Sequence, residues 1–497
     1  MDNKGVWHGQ YTGLVALLLI GLGARLTRLG HVPWYDETFN WYVSKDGVGE
    51  AIDRIGNDFF PPLYNSFLAL WLKLVPAPDM VWLRLPSVAA GLVTLYIVYR
   101  LLSHLISARQ ALVAASLVAL SPGLALWAQV VRPFAFELMF VALALYAGVR
   151  LVSAQGQAGL NRHHALLFTA LLGAVYTNHG ALFFTASFGG ALMATMLRQS
   201  GWKVGRAHIV LALVFIGVAL CWLPAFEGLL AQRARSAALN FPDHRPGVEA
   251  LLNTLLGFVS LSYLWSLKLV SAGFIIPCAA FGARVLYRRA PDAGLTLLLL
   301  AAFFTGGLLL LYLYDPVFGR VLERGYWLNI IVLIFAGTGF AALLARLLGA
   351  PGACRLAVPV LAAMVAVLHA QALRNINASE SADWRPVAEA VGAKVAPGDI
   401  AFTIPWIMAP HVDYYLGERF KAGAIKRTPD LFRYNTGNIP MLLEDMRDKT
   451  DAKRLWLFIA EGDSTALDGA AFEVTERIEA PGGALLVLAL PLRAEAP

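Results

Sequence analysis

Charged side chains are scarce in this chain of 497 residues, in which Asp, Glu, Lys and Arg together make up only 15%. An average soluble domain carries about 25% charged residues, so an ordinary soluble enzyme is excluded. The chain is instead rich in apolar sequence: 58% of its residues are hydrophobic and its mean hydropathy is +0.61. Such a surplus is typical of a protein that crosses a membrane many times.

Cysteine is rare as well, with three residues (Cys221, Cys278 and Cys354) in or beside apolar stretches. They form no Cys-x-x-Cys pattern and no Cys/His ligand pattern, so we expect neither a disulfide nor a tightly bound metal. Internal repeats and low-complexity tracts are lacking too. The net charge of +7 indicates membrane orientation and contact with anionic lipid, so no nucleic-acid partner is predicted.

Apolar stretches about 20 residues long recur from residue 14 to residue 373, and such a length crosses a bilayer as a helix. Eleven of them predict a polytopic α-helical membrane protein. The first has no small-residue cleavage site after it, so we expect it to be retained as a span. The stretches are 14–29, 83–103, 110–128, 133–153, 164–177, 181–198, 207–226, 269–287, 293–313, 325–345 and 356–373.

Lysine and arginine collect in alternate connections, such as those that hold Arg100 and Arg109 or Arg150 and Arg162, which predicts that these connections and the N-terminus are cytoplasmic. Two further stretches, 63–75 and 251–266, are interpreted as helices in the outer interface, and the count becomes thirteen if both span. The outer face then receives residues 30–82, the turn near Arg132, the YTNHG turn at 176–180, and the loops 227–268 and 314–325.

A change of composition after about Arg374 predicts a separate domain. Strand-like runs at 399–404, 454–460 and 484–490 alternate with helical patterns at 383–396 and 437–448, which is typical of a small α/β domain. We therefore predict a membrane domain at 1–373, whose first outer loop is 30–82, and an extracytoplasmic α/β domain at 374–497. Its aromatic side chains could stack on sugar rings, although core packing is their usual role. They are Trp406, His411, Tyr414 and Tyr415.

Two adjacent acids, Asp36 and Glu37, stand among aromatics in HVPWYDETFNWYV just after the first span. They could cap a helix, or one could be a general base, because aromatics typical of the membrane interface would place the carboxylates at headgroup height. Asp58, before the Pro-Pro step of NDFFPPLY, is either a helix cap or a substrate contact. Arg84 in WLRLPS and Arg132 in WAQVVRPFAFE lie at outer span ends, where an arginine commonly snorkels to the interface.

The order of these motifs resembles one family. The chain is similar to glycosyltransferase family 39, the dolichyl-phosphate-mannose protein mannosyltransferase-like enzymes. The similarity consists of an Asp-Glu pair after the first span, followed in order by PPLY, RLPS, an Arg-Pro-aromatic turn and YTNHG. Bacterial relatives include the aminoarabinose transferases that modify lipid A. GRVLERGYW at 319–327 and DWRPVAEAVGAKVAPGD at 383–399 extend the resemblance over nearly the whole chain. The chain departs from the pattern at Phe60, where many members have His or Lys, and at Phe134, where Tyr is common.

The resemblance implies a GT-C fold and an inverting transfer of a sugar from a polyprenyl phosphate of the undecaprenyl type. The acceptor would be a glycan, lipid or protein at the outer face of a bacterial inner membrane, with the C-terminal domain in the periplasm. No cofactor is predicted, and a divalent cation is not predicted either. The partners expected are the lipid-linked sugar, the acceptor and membrane lipids.

Transfer of this kind needs a base for the acceptor proton and positive charge for the departing phosphate. We assign the base to Asp36. Glu37 would orient the acceptor or hold Asp36 through a hydrogen-bond network, and Asp58 would be a secondary acid that contacts sugar or acceptor. Arg132 and Arg324 are the predicted phosphate ligands, because arginine can bind phosphate oxygens in a bidentate fork. Further candidates for substrate binding are Arg84, His179, Lys268 and Arg320.

Three other classes compete with this hypothesis. A transporter or flippase would need ionisable residues near the bilayer midplane, and these are nearly lacking in the spans. A membrane anchor for the C-terminal domain would not need the acids and arginines of the outer loops. A metal-dependent enzyme resembling oligosaccharyltransferases would require an added divalent cation.

Overall fold

A computed structural model describes most of the chain and divides it into two compact units. Unit 1 comprises Met1–Leu29 and Gly47–Ile376, and unit 2 comprises Gly30–Asp46 and Asn377–Pro497. The predicted boundary between residues 373 and 374 stays a prediction, because residues 349–383 lie outside the described part. The described residues are 3–27, 29–55, 60–75, 79–154, 159–228, 230, 256, 265–314, 327–348, 384–404, 408–417, 419–420, 452, 454–460, 475–479 and 485–491.

Unit 1 is helical throughout its described residues. Among the described residues, five helices are long and apolar enough to cross a membrane: Met80–Leu105, Phe134–Ser153, Ala181–Gln199, Arg206–Gly228 and Trp327–Leu348. The helices of this unit are α1 (Asn3–Leu26), α3 (Val48–Ile55), α4 (Leu63–Leu72), α5 (Met80–Leu105), α6 (Ala108–Ala119), α7 (Pro122–Trp127), α8 (Phe134–Ser153), α9 (Arg162–Thr177), α10 (Ala181–Gln199), α11 (Arg206–Trp222), α12 (Trp265–Arg289), α13 (Pro291–Tyr314) and α14 (Trp327–Leu348).

The predicted single span at 110–128 is wrong, because two helices occupy that stretch. Helix α6 ends at Ala119, and Ser121 caps α7 by accepting a hydrogen bond from Leu124 N. Pro122 is the first residue of α7, where its missing N–H costs nothing, whereas inside a continuous helix the ring would clash with the preceding turn. The predicted stretches 251–266 and 356–373 fall almost wholly or wholly outside the described residues.

Close packing in unit 1 relies on small residues. A side chain at Gly282 of α12 would collide with Phe335 O, and one at Gly339 of α14 with Cys278 O, so the two backbones meet directly. Close approach of two backbones is the usual way for helices to associate in a membrane, because apolar side chains gain no hydrophobic free energy by moving from lipid to a helix interface. Helix α14 accordingly lies in the interior of unit 1, because 78% of its apolar 18-residue segment is buried. The corresponding buried share in Arg206–Gly228 is only 22%.

Unit 2 is a small α/β body. Its elements are α2 (Tyr35–Ser44), α15 (Arg385–Gly392), β1 (Ile400–Ile404), α16 (Ala409–Leu416), β2 (Arg454–Ala460), β3 (Glu476–Glu479) and β4 (Leu485–Pro491). The sheet order is β1-β2-β4-β3, with β1 parallel to β2 and the other pairs antiparallel. In register, Phe402 lies opposite Leu457, which lies opposite Leu488. Trp384 and Trp456 are fully buried in the core of the unit.

The three predicted strands are confirmed as β1, β2 and β4, and the helix predicted at 383–396 is confirmed as the shorter α15. Two elements were missed. Strand β3 reads as polar sequence because it alternates half-buried and exposed residues at a sheet edge. His411, Tyr414 and Tyr415 belong to helix α16 and not to a strand-like run. The helix predicted at 437–448 lies outside the described residues.

Candidate active site

Helix α2 carries both of the adjacent acids in its first turn. Glu37 is fully buried, and its Oε2 accepts a hydrogen bond from Trp34 N at 3.0 Å, so this carboxylate closes the start of the helix. His31 Nε2 lies 3.9 Å from the same oxygen. The helix-cap interpretation therefore describes Glu37, whose contacts fix the first turn of α2.

Asp36 differs from its neighbour in being only half-buried. Its backbone carbonyl accepts a hydrogen bond from Asn40 Nδ2 at 2.7 Å, which ties the residue to the next turn of the helix. The two acids consequently have different environments: the Glu37 side chain is buried within unit 2, and the Asp36 side chain is accessible to solvent. Of the pair, Asp36 is the side chain that a substrate could contact.

A buried hydrogen bond joins α2 to α16. Thr38 Oγ1 lies 2.9 Å from His411 Nδ1 and also donates to Tyr35 O at 2.9 Å. Since a carbonyl can only accept and the hydroxyl has one proton, His411 must carry its proton on Nδ1 and donate to Thr38. Its Nε2 is buried and has no hydrogen-bond partner among the described residues. Burial lowers the pKa of His411 to about 3, so the ring is neutral at pH 7.

Aromatic and ionic contacts complete the attachment of α2 to the rest of unit 2. The Tyr35 ring packs 4.7 Å from the His411 ring, and the Trp41 ring 5.1 Å from that of Tyr414. At the other end of the helix, the Lys45 ammonium pairs with the Asp413 carboxylate. Sequence reasoning missed Thr38, Lys45 and Asp413, because no local pattern marks a contact between segments more than 360 residues apart.

In unit 1, Arg132 stands directly before Pro133 and α8, and its side chain is half-buried. Its guanidinium carbon lies 4.9 Å from the centre of the Phe60 ring and 5.4 Å from that of Phe134. The two rings contact each other edge to face at 5.9 Å. The two positions at which the chain departs from its family pattern therefore both contact the predicted phosphate ligand, and their rings attract its positive charge.

Arg84 is fully buried rather than extended to the interface. Its Nη1 donates to Leu29 O at 2.6 Å and so holds the residue that follows α1. The snorkelling interpretation is wrong for this arginine, because its side chain is buried and hydrogen-bonded inside unit 1. Its role in substrate binding stays a prediction.

The YTNHG turn holds a buried polar pair that sequence reasoning missed. Asn178 Nδ2 donates to Glu137 Oε2 at 2.7 Å, and Asn178 Oδ1 accepts from Gly180 N at 2.9 Å. The only signal for Glu137 was an acid five residues after Arg132 in apolar sequence. His179 packs against the Trp222 ring at 5.8 Å, and burial lowers its pKa to about 4, so the ring is neutral at pH 7 in the ligand-free protein.

The remaining predicted residues are not described. Asp58, Arg320 and Arg324 lie outside the described residues, and Lys268 belongs to α12 with its side chain outside them. Their roles stay predictions. Within the described ranges, no group of three or more His, Cys, Asp or Glu side chains could hold a metal ion.

Comparison with known proteins gives one family match and several similar structures. The family described as dolichyl-phosphate-mannose-protein mannosyltransferase matches residues 60–222, about a third of the chain. None of the curated proteins matches significantly.

Two solved structures of ArnT from Cupriavidus metallidurans are similar over nearly their full length. The one bound to undecaprenyl phosphate has a TM-score of 0.58 at 12% identity and covers 100% of both chains. The apo structure has a TM-score of 0.60 at 13% identity, covering 97% of this chain and 98% of that one. The Archaeoglobus fulgidus oligosaccharyltransferase in complex with Zn and sulfate has a TM-score of 0.56 at 13% identity, covering 90% of this chain and 67% of that one.

The chain is therefore a multi-pass helical membrane protein with the GT-C fold of these structures and a small C-terminal sheet. Within that class, residues 60–222 carry the family resemblance that the order of motifs predicted. Both the predicted fold class and the predicted resemblance are confirmed.

Proposed function

We propose that this protein is an inverting glycosyltransferase that transfers a sugar from an undecaprenyl-type polyprenyl phosphate to an acceptor at the outer face of the membrane. The observation that carries the proposal is the full-length similarity to a structure whose ligand is undecaprenyl phosphate. The match of residues 60–222 to a family named for a lipid-phosphate sugar donor supports it independently.

In this reaction the acceptor hydroxyl or amine attacks the anomeric carbon from the face opposite the phosphate. The bond from the anomeric carbon to the phosphate oxygen breaks as the new one forms, and the phosphate leaves with the electron pair. Asp36 takes the acceptor proton, while Glu37 holds the helix turn that presents it. Arg132 and Arg324 stabilise the negative charge that develops on the phosphate. Asp58 contacts sugar or acceptor.

A lipid-linked donor requires a cleft that opens to lipid, because its polyprenyl chain does not dissolve in water. Helix α4 has 10 residues and is thus about 15 Å long, half of a hydrocarbon core of about 30 Å, so it cannot span. It exposes Phe67 and Leu70, with 40% and 53% of their surface accessible. These properties suit a helix that lies in the outer interface and forms the rim of such a cleft.

The cellular setting follows from the orientation rule and the class of donor. We place the protein in a bacterial inner membrane, with the N-terminus in the cytoplasm and residues 374–497 in the periplasm. The acceptor is a periplasmic glycan, a lipid such as lipid A, or a protein.

A metal-dependent enzyme of the oligosaccharyltransferase kind is the second candidate. The similarity to the Archaeoglobus fulgidus enzyme in complex with Zn favours it. Transfer that stops in a chelator and returns with a divalent cation would replace the first proposal with this one. Transfer that continues in the chelator would exclude it.

The decisive test is a pair of acid variants in purified full-length protein, assayed by release of undecaprenyl phosphate from a labelled donor. Asp36→Asn should lower kcat by about 100-fold or more, the usual contribution of a general base. The matched control is Asp53→Asn, since Asp53 is an exposed acid in the same predicted outer loop. Near wild-type turnover by Asp36→Asn would remove Asp36 from the base role, and no transfer by wild type from any undecaprenyl-linked sugar would contradict the function.

A further inference from the structure

A cavity of about 540 Å³ lies in unit 1 at the ends of three helices. His104 in the last turn of α5 and Arg150 in the last turn of α8 line one side, and Arg162 and His163 at the start of α9 line the other. Helix α8 runs for 20 residues, about 30 Å, from its start beside Arg132 to this cavity. The cavity is therefore separate from the candidate active site, at the opposite end of the helix.

The lining is basic. Two guanidinium groups and two imidazoles face a cavity whose described lining residues include no carboxylate. Arg150 Nη1 lies 3.1 Å from His104 Nδ1, and because a guanidinium only donates, the imidazole nitrogen must be the acceptor. His163 Nδ1 is buried and has no hydrogen-bond partner within the described ranges. Concentrated N–H donors without a counter-charge are the chemistry that binds phosphate.

The helix terminus itself is already satisfied. Asn161 Oδ1 accepts hydrogen bonds from His163 N at 2.9 Å and from His164 N at 3.4 Å, which caps α9. An anion in the cavity would consequently be held by the basic side chains and not by the first amides of the helix.

Exposed apolar residues beside the cavity indicate that the anion belongs to a lipid. Leu160, next to the capping asparagine, is 75% exposed. Trp202 and Val204 are exposed in the turn that follows α10, and Gln199, the last residue of α10, donates to Val152 O near the end of α8 at 2.8 Å. A tryptophan and large aliphatic side chains exposed beside arginines are typical of a surface at the level of lipid headgroups.

We propose that this cavity binds the phosphate of an anionic phospholipid headgroup, on the face predicted to be cytoplasmic. The site uses none of the residues assigned to catalysis, so the inference does not depend on the proposed function.

The test measures lipid binding by the purified full chain in neutral detergent, using native mass spectrometry with phosphatidylglycerol, phosphatidylcholine and inorganic phosphate as probes. Wild type should retain phosphatidylglycerol and prefer it to phosphatidylcholine. The double variant Arg150→Gln/Arg162→Gln should bind it at least tenfold more weakly. The matched control Arg109→Gln changes an exposed arginine of the same predicted face that does not line the cavity, and it should bind like wild type.

Equal loss in Arg109→Gln would show a diffuse charge effect and overturn the site. Competition by inorganic phosphate at the lipid's own concentration would assign the cavity to a soluble anion and overturn the lipid assignment. The single variant Arg162→Gln alters an exposed side chain, so it keeps the test decisive if the double variant fails to fold.

Discussion

Acid should loosen helix α2 from the rest of unit 2, because protonation of His411 at Nε2 would place a positive charge in a closed aromatic environment where that nitrogen has no hydrogen-bond partner among the described residues. The pKa of His411 is about 3 in the folded protein, against about 6.5 for an ordinary histidine. The unfolded or opened state therefore binds this proton more readily than the folded state. The free energy of opening should be constant above about pH 6.5 and fall as the pH drops from 6.5 towards 3.

The magnitude follows from the pKa difference. Each pH unit inside that window costs about 1.4 kcal/mol, so the loss at pH 4.5 is about 3 kcal/mol. The rings of Tyr35, Trp384 and Tyr415 have their centres 4.7 Å, 4.8 Å and 5.2 Å from that of His411, and attraction of an imidazolium to them offsets about 0.5–2 kcal/mol. The expected net loss is about 1–2.5 kcal/mol, or roughly a fivefold to seventyfold fall in protection of α2 from hydrogen exchange.

Hydrogen exchange with mass spectrometry on the full chain in nanodiscs measures this directly at pH 6.5 and pH 4.5, with rates corrected for intrinsic exchange. Peptides from residues 35–44 and 409–416 should lose protection, and peptides from α8 should not. In His411→Gln the side chain can still donate to Thr38 and cannot titrate in this range, so the loss should disappear. An equal loss in that variant, or none in wild type, would refute the role given to His411.

Two further predictions concern unit 1. Phe60→Leu should lower kcat/KM for the lipid donor by about 2–30-fold, because it removes a ring worth about 0.5–2 kcal/mol to the Arg132 guanidinium. Phe67→Leu, whose ring packs against Phe136, should leave kcat/KM unchanged. Equal effects of the two variants in steady-state kinetics would contradict this prediction. Gly282→Val should abolish the close contact of α12 with α14 and sharply reduce the yield of folded protein in size-exclusion chromatography. Gly273→Ala, at a position with open space around it, should behave like wild type. A normal yield for Gly282→Val would show that the contact is dispensable.

Local sequence signals predicted much of the fold. The strands β1, β2 and β4 were predictable as short apolar runs between turn residues, and hydropathy identified the long helices. The break at Ser121 and Pro122 was missed because hydropathy averages over a window and ignores capping. Strand β3 was missed because an edge strand carries charges that read as loop.

The residues of the candidate site were predictable from the sequence, but the contacts that hold them in place were not. The adjacent acids stood out against apolar sequence, but nothing local distinguished the buried cap Glu37 from the half-buried Asp36. The contact of Thr38 with His411 joins positions 373 residues apart, and such pairings are set by tertiary packing alone. Likewise, the packing of both the Phe60 and Phe134 rings against Arg132 is a tertiary contact that no local sequence pattern indicates.

Binding of the polyprenyl phosphate that carries the donor sugar is tested most directly by a cryo-EM map of the full protein in nanodiscs with undecaprenyl phosphate. We predict density for the lipid phosphate within hydrogen-bond distance of the Arg132 guanidinium, which Arg132→Ala removes. A map with no lipid phosphate at Arg132 under saturating lipid would contradict the account.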